Sequence, residues 1–427
     1  MQARWIALVA DAVSSKALLI TAGWSLLLLI GFYALLRTRR LINLEHPVLW
    51  IVVIALAVRL FPDMLLPGGA NGDMDAYEMV GQAGAAGQDI YAQPVLEKRH
   101  PYLPLYVYWL IFTSWFAQAT GWSSAFIVRL PPILADAALA VLIYCQVRRD
   151  LSEGEAQRSG LLYALNPIVV LVSAYHGQFD AVPALFALLA LQAGAAGVFT
   201  QAGFWLGTGI LVKGWPVLAL PTLFIQARSW RSKVWIILGA TLIPLAALLV
   251  YVLWFNADPV LILKRALGYN HGVGVYGYTY FIRLGVLAQR LPSDAMTFLY
   301  LNARYITLVC LGVIWLWQAR RQSLLESWLT ILVAFLATTH AFSIQYLAWI
   351  VPFGLAARQN TWTWRYTLAA FIYMFLTYNT LILDFRIDHL FSWQQADLYL
   401  IIPASLPVWG VAVAWLIQRL RQPAYAS

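Results

Sequence analysis

The run VWIILGATLIPLAALLVYVLWF, Val234 to Phe255, contains no charged side chain and decides how the rest of the chain is read. As a helix it crosses the hydrocarbon layer of a bilayer, which takes about 20 apolar residues, and in water it would expose apolar surface on every side. Arg228, Arg231 and Lys233 precede it and Asp258 follows, so both ends are polar. Working outward, thirteen apolar runs are read as spans, from Ala17 to Leu36 and Pro47 to Met64 at the start to Tyr366 to Leu383 and Leu398 to Gln418 at the end. Hydrophobic residues make up 62% of the 427-residue chain and charged residues 11%, against roughly 25% charged in soluble domains. That balance excludes a soluble fold and predicts an all-α, polytopic membrane helix bundle forming one domain over residues 1–427.

The 28 Lys+Arg against 19 Asp+Glu give a net charge of +9, but the charges sit between spans, which argues for topology signals rather than a nucleic-acid surface. The clusters Arg37/Arg39/Arg40, Arg148/Arg149/Arg158, Arg228/Arg231/Lys233, Arg320/Arg321, Arg358/Arg365 and Arg419/Arg421 all fall on one side of the threading. Basic residues accumulate in cytoplasmic loops, so the N-terminus is expected outside and the C-terminus in the cytoplasm. Counting either Tyr102 to Phe116 or Tyr276 to Leu287 as a span would send several clusters to the wrong side, and both are read as helices lying in the outer interface. Arg4, Trp5, Asp11 and Lys16 lie in the first sixteen residues without a clean apolar core or cleavage site, so Ala17 to Leu36 is expected to be a retained span. Cys145 and Cys310 have no spacing suited to a metal or a disulfide framework and are read as packing residues.

The tandem Ala202 to Val212 and Trp215 to Gln226 is too short for two full crossings, with Lys213, Gly214 and Pro216 at the break. Broken helices of this kind line cavities, where freed backbone groups find partners. Four unusual segments are threaded to the outer face: Gly68 to His100, Tyr175 to Asp180, Asp258 to Tyr280 and Thr338 to Gln345. Glycine-rich Gly68 to Gly72 leads into Asp73, Asp75 and Glu78 at the start of a short helix, where Asp73 serves either as a simple cap or as a proton acceptor. Lys98, Arg99 and His100 precede a rigid aromatic stretch, where cations either snorkel to headgroups or hold a phosphate. His176, Gln178 and Asp180 interrupt an apolar stretch, a placement that is costly unless the groups are bonded or functional. Lys213, near membrane depth, needs an anion from the protein or from a ligand. Arg265 and His271 lie in a loop rich in glycine and tyrosine that could close over a substrate, and Gln345 and Tyr346 cap the outer ends of two spans. Arg129 and Asp136, on one helix face, are expected to pair with neighbours rather than react.

Together these motifs resemble the GT-C superfamily of membrane glycosyltransferases that use polyprenyl-phosphate-linked sugars. The pattern is similar to that of the dolichyl-phosphate-glucose glucosyltransferases of N-glycan assembly and of bacterial relatives of the second mannosyltransferase of the GPI anchor. Gly72-Asp73-Met74-Asp75-Ala76 resembles a Gly-Asp-aromatic-Glu-Ala segment, and His100-Pro101-Tyr102-Leu103-Pro104-Leu105 resembles a Tyr-Pro-Pro-Leu element. Arg129 to Asp136, His176-Gly177-Gln178-Phe179-Asp180, Lys213-Gly214-Trp215-Pro216 and Ser343 to Pro352 follow in the family's order. Departures are the extra span Ala17 to Leu36, Met74 in place of an aromatic, and His100 and Tyr102 within the proline element.

The resemblance, which runs from about Arg59 to Pro352, implies an inverting transfer of mannose or another hexose from a polyprenyl-phosphate donor. The acceptor would be a hydroxyl of a glycolipid, glycan or protein, and the reaction would serve cell-envelope glycan assembly on the extracytoplasmic side of a bacterial inner membrane. Asp73 then inherits the role of catalytic base, and Asp75, Lys98, Arg99, His100, His176, Gln178, Asp180, Lys213, Arg265, His271, Gln345 and Tyr346 are the candidate substrate-binding residues. No cofactor or metal is expected, and the bilayer and the lipid-linked donor are the expected partners. The rival class is a flippase or transporter of lipid-linked sugar or polysaccharide, since broken helices and intramembrane charges are shared with transporters.

The threading places His176, His271 and His340 outside and Arg149, Arg231 and Arg320 inside. Cysteine replacements labelled in intact cells with an impermeant thiol reagent should react at the first three positions alone. Labelling of Arg320→Cys without labelling of His271→Cys would reverse the orientation.

Overall fold

The computed structural model describes residues 2–38, 43–65, 71–97, 99–268, 272–318, 322–378, 395 and 397–421. Helices follow one another without a strand among the described residues. Among the described residues seven are long and apolar enough to cross a membrane: Leu19–Arg37, Pro47–Leu65, Ser124–Arg148, Glu153–His176, Trp230–Phe255, Asp294–Trp317 and Leu398–Arg421. They correspond to seven of the thirteen predicted spans. Among the described residues the remaining predicted spans include shorter or interrupted helices, and breaks in apolar helix build the site.

In chain order, α1(Gln2–Arg37) and α2(Pro47–Leu65) lead to the short α3(Asn71–Ala85) and to α4(Leu105–Thr120), the helix expected in the outer interface. Next come α5(Ser124–Arg148), α6(Glu153–Ala164) and α7(Pro167–Val170), the last continuing into a wide turn over Leu171–His176. Then α8(Ala181–Ala195) and α9(Phe199–Val212) precede the break, and α10(Leu220–Gln226) and α11(Trp230–Phe255) follow it. The remainder comprises α12(Pro259–Leu267), α13(Gly277–Leu287), α14(Asp294–Gln318), α15(Leu324–Thr338), α16(Ile350–Ala356), α17(Asn360–Thr377) and a last helix, Leu406–Arg421. The predicted span Tyr366 to Leu383 is seen as far as α17, and residues 379–394 lie outside those described.

Close helix packing follows from small residues. Gly203 and Gly207, one turn apart on α9, face Gly239 on α11, where a Cβ added to Gly207 would sit 2.1 Å from the Gly239 carbonyl oxygen. In lipid, helix association relies on such close backbone approach, because burying apolar side chains there gains little over lipid. The outward face of α11 is apolar, with Leu245, Leu249, Leu253 and Trp254 more than half exposed, as a lipid-facing surface requires. On α3, Gly81 and Gly84 play the same role against α4: a Cβ on either would meet Leu110 or Ile111 atoms at 2.6 Å. Pro167 breaks the path from α6 into α7, and Asn166 stitches the break by accepting from the Ile168 amide at 3.0 Å and donating to Thr367 at 2.9 Å.

The basic loops collect at one end of the bundle. Arg158 donates to the Leu35 carbonyl at 3.0 Å, Arg148 pairs with Glu153 at 3.0 Å, Arg358 reaches Asp150 at 3.7 Å, and Arg419 pairs with Glu326. The four unusual segments meet at the other end. His176 and Gln178 contact Asp73, Trp349 contacts Asp180, and Tyr276 stacks on Phe342 at 4.0 Å.

Two buried ion pairs tie α2 to α5. Arg59 bonds Asp136 at 2.8 Å, with the Tyr163 hydroxyl on the other carboxylate oxygen at 2.6 Å, and Arg129 bonds Asp63 at 2.6 Å. Arg129 and Asp136 thus pair with neighbours, as expected, rather than with each other. Arg129 also reaches the Ala174 carbonyl at 3.4 Å, so this pair supports the turn that carries His176. Removing one partner of a buried pair leaves an uncompensated charge at a cost of about 3–5 kcal/mol, whereas replacing both with apolar groups is much milder. Asp63→Leu should therefore lower the thermal unfolding midpoint in detergent sharply, and Asp63→Leu combined with Arg129→Met should recover most of the loss. No recovery in the double variant would show that Arg129 matters through its contacts to the turn.

Candidate active site

Three interruptions of apolar helix supply the site. The first is the wide turn Leu171–His176, which ends at Gly177 with φ of 78°, a left-handed conformation that an L side chain adopts only at a cost. The second is Lys213, whose extended backbone ends α9 before a tight turn, Trp215–Ala219, begins. The third is the tight turn Ile344–Ala348 that precedes α16. Each break frees polar groups at depth, and the side chains at the breaks satisfy one another.

Lys213 is the hub. Its ammonium lies 2.7 Å from Asp180 and 3.4 Å from the Gln178 side-chain oxygen, over the rings of Tyr102 at 4.9 Å and Phe179 at 5.0 Å. The second oxygen of Asp180 accepts from the Trp349 indole at 2.5 Å, so both oxygens are engaged and the side chain is buried. Trp349 in turn stacks on Trp215 at 4.6 Å and against Tyr346 at 4.2 Å, joining the second break to the third.

Asp73, in the first turn of α3, closes this network from the loop side. One carboxylate oxygen, Oδ2, lies 2.7 Å from His176 Nε2 and accepts from the Gln178 amide at 2.6 Å. Its side chain stays 45% exposed, in contrast to the locked Asp180. Partial burial works to raise the Asp73 pKa. Hydrogen bonding and attraction from His176, the Gln178 amide and the charge of Lys213 outweigh it, and hold the carboxyl down at about 2. An ionised carboxylate can only accept, so Nε2 of His176 carries a proton. In the neutral ring Nδ1 then accepts from the Tyr378 hydroxyl, 2.9 Å away.

The structure thus brings together Asp73, His176, Gln178, Asp180 and Lys213. His100 lies in the adjoining aromatic wall, edge-on to Tyr102 at 5.2 Å. Burial, aided by the nearby charge of Lys213, holds its pKa down at about 3. His100 is therefore a neutral ring in the wall rather than a surface cation. Tyr346 packs against Trp349, and Gln345 is buried and bonded to the Ser343 hydroxyl. Asp75 and Arg99 are exposed, and Glu78, also exposed, accepts from Gln82. Arg265, on α12, lies within electrostatic reach of Tyr91, in a neighbouring group where the Tyr251 hydroxyl donates to Asp89 at 2.9 Å. Tyr91 donates to the Tyr102 carbonyl at 2.6 Å, linking that group to the wall around Lys213. Lys98 and His271 lie outside the described residues.

Trp349 and Tyr378 were not among the predicted site residues. Trp349 falls within the Ser343 to Pro352 run, whose aromatic content is a usable signal. Tyr378 sits in an apolar stretch whose neighbours give no hint that its hydroxyl meets His176.

Residues 94–254 match the family described as dolichyl-phosphate-mannose-protein mannosyltransferase. The match covers α4 to most of α11, including His176, Gln178, Asp180 and Lys213, and begins after Asp73. It supports the likeness to membrane glycosyltransferases of the GT-C kind over that stretch, without singling out the glucosyltransferases or the GPI mannosyltransferase relatives. No curated protein matches the chain.

Gly177 lies beneath Met74, and a Cβ there would sit 2.3 Å from Met74 Cε and 3.3 Å from Arg129 Cγ. Gly87 has a similar φ of 74° with open space around it. Alanine at Gly87 should cost the left-handed strain alone, about 1–2 kcal/mol, and alanine at Gly177 should cost that plus overpacking of about 1–3 kcal/mol. Thermal unfolding of the two variants measures the difference; equal losses would mean that Met74 moves aside freely.

Proposed function

We propose that the chain is an inverting glycosyltransferase that moves a hexose, mannose or a relative, from a polyprenyl-phosphate donor to an acceptor hydroxyl on the extracytoplasmic side. The observation that carries the reading is Asp73: an ionised, half-exposed carboxylate fixed by His176 and Gln178 at the edge of a network that also holds Lys213. The family match over residues 94–254 supports the donor class.

In this reading the acceptor oxygen attacks the anomeric carbon on the face opposite the phosphate. The bond from the anomeric carbon to the phosphate oxygen breaks, polyprenyl phosphate leaves with the electron pair, and the acceptor proton passes to Asp73. Asp73 fits the base better than Asp75 or Glu78, because it alone of the three is fixed within the network. His176 and Gln178 act as positioning residues that aim the carboxylate, and Asp180 orients Lys213. The leaving phosphate needs cations more than a proton donor. Lys213, Arg265 and Arg99 are the described candidates, with Lys98 and His271 beyond them. Lys213 is already matched by Asp180, so its service to a phosphate would be shared rather than exclusive. Fixing donor and acceptor in one cavity supplies much of the remaining rate.

Asp73→Asn keeps the size and one hydrogen-bonding oxygen but cannot take a proton. Transfer from a polyprenyl-phosphate sugar should fall by about 10²- to 10⁴-fold, while binding of a non-transferable donor analogue survives. Asp75→Asn should leave measurable transfer. Because the Asp73 carboxyl is held down at about 2, its base form is complete at and above about pH 4, and it should contribute no acid limb to the native pH profile above that value. Near-normal transfer by Asp73→Asn, with loss in Asp75→Asn, would exchange the two roles.

A further inference from the structure

Asp73, Tyr77 and Gly81 follow one another on α3 at four-residue intervals, so they lie along nearly one face of the helix, about 6 Å apart per step. Beyond Tyr77 a cavity of about 360 Å³ opens between α3, α4 and the start of α5, within the ~300–1,000 Å³ range of small-molecule sites. Small residues make the room: Gly81 seats α3 directly on the Leu110 carbonyl, and Ser114 and Ala117 line the α4 side.

The polar lining is a carboxylate, two amides and hydroxyls, with an indole at the rim. Glu78 accepts from Gln82 at 3.0 Å and Gln118 donates to Ser114 at 3.3 Å, pairs whose members Glu78, Gln82 and Gln118 are exposed and free to exchange partners. Trp122 is 57% exposed. Phe116 and Phe126 meet it at steep angles of 88° and 63°, so no ring stacks face to face on it. Carboxylate and amide groups suit neighbouring sugar hydroxyls, and an open indole face suits the C–H face of a pyranose.

Tyr77 joins this cavity to the Asp73 network. Its ring lines the cavity and packs against Tyr106 at 5.9 Å and Phe179 at 6.0 Å, and its hydroxyl is buried without a hydrogen-bond partner. A buried donor left open in this way gains from any ligand oxygen that reaches it.

We infer that this cavity is the acceptor subsite and that it takes a saccharide, holding a pyranose ring next to the unit whose hydroxyl reacts at Asp73. The inference rests on the glycosyl-transfer reading and names the acceptor class for it. The carboxylate, amides and open indole of its lining suit a ring with neighbouring hydroxyls, which favours a saccharide over a peptide.

The test uses the full chain in lipid nanodiscs and saturation-transfer NMR with soluble probes: mannobiose, maltose, chitobiose and a decapeptide containing serine and threonine. At least one disaccharide should bind, and Trp122→Ala, which removes the rim indole, and Ala117→Trp, which fills the mouth, should each weaken that binding at least about tenfold, or about 1.4 kcal/mol. Trp122 is exposed, so its variant keeps the test intact where Ala117→Trp fails to fold. Absence of saccharide binding, binding unchanged in Trp122→Ala, or binding of the peptide alone overturns the inference. The two readings fail separately. A chain that transfers sugar but shows no cavity effect loses only the subsite, and one that binds disaccharide in the cavity but transfers nothing loses the transferase and its acceptor role while keeping a saccharide-binding cavity.

Discussion

The ion pair between Lys213 and Asp180, closed at 2.7 Å in a buried setting, is the constraint on which the rest of the site depends. A lone ammonium or carboxylate at that depth would be expensive, and the pair is tolerable because both Asp180 oxygens and the Lys213 ammonium are themselves bonded. Trp349 takes the second oxygen of Asp180, Gln178 faces Lys213 from one side, and two aromatic rings cover the ammonium from the other. These partners come from three separate breaks in apolar helix, so the pair fixes the breaks relative to one another. Polar backbone freed at each break is what a bilayer interior forbids unless it is enclosed by protein, and the network provides that enclosure.

A division of labour between two carboxylates follows. Asp180 has both oxygens committed and is buried, which makes it a structural anchor for Lys213. Asp73 spends one oxygen on His176 and Gln178 and stays half-exposed, so it is aimed but available. The link between them is Gln178, which donates to Asp73 and offers its oxygen to Lys213, and the left-handed Gly177 lets His176 and Gln178 both reach the same carboxylate. A helix continued through this position would have spread the two side chains around its axis. The Arg129–Asp63 pair and the Arg129 contact to the Ala174 carbonyl hold the turn from beneath.

Much of the architecture was legible because hydropathy is local. Apolar runs such as Val234 to Phe255 and basic clusters such as Arg228, Arg231 and Lys233 declare spans and ends without tertiary knowledge. The polar interruption Tyr175 to Asp180 and the Lys213 break were legible for a related reason, since unneeded polarity within apolar helix is costly. What could not be read was direction. Asp73, Asp75 and Glu78 are chemically alike on one short helix, and only the packing of Tyr77 and Val80 inward determines that Asp73 meets His176 while the other two face out. His100 reads as a cation in a basic stretch, yet its burial beside Lys213 makes it neutral. Tyr378 and Trp349 are ordinary members of apolar runs until partners far away in sequence arrive. Short apolar helices sit beside the site for the same reason: the segment before α8 carries His176, Gln178 and Asp180, and the turn before α16 leads into Trp349.

The low pKa of Asp73 constrains how any base chemistry there must proceed. A carboxylate held at about 2 is reliably ionised but weakly basic, and it cannot pull a proton from an ordinary hydroxyl in the ground state. That hydroxyl becomes acidic only as its oxygen gains a bond to an electron-poor anomeric carbon. In the proposed transfer, proton transfer to Asp73 would then come late, after the bond to the leaving phosphate has largely broken, so the main task of the ionised carboxylate would be to orient the hydroxyl and to face the positive charge developing on the sugar. The hydrogen bonds from His176 and Gln178 that lower its basicity are the same ones that fix its position. Nε2 of His176 already carries a proton and Nδ1 already accepts from the Tyr378 hydroxyl, so the imidazole aims the Asp73 carboxyl rather than receiving a proton from it. The arrangement therefore favours precision of placement over strength of base, which would suit the proposed transfer, whose lipid-phosphate leaving group needs no acid.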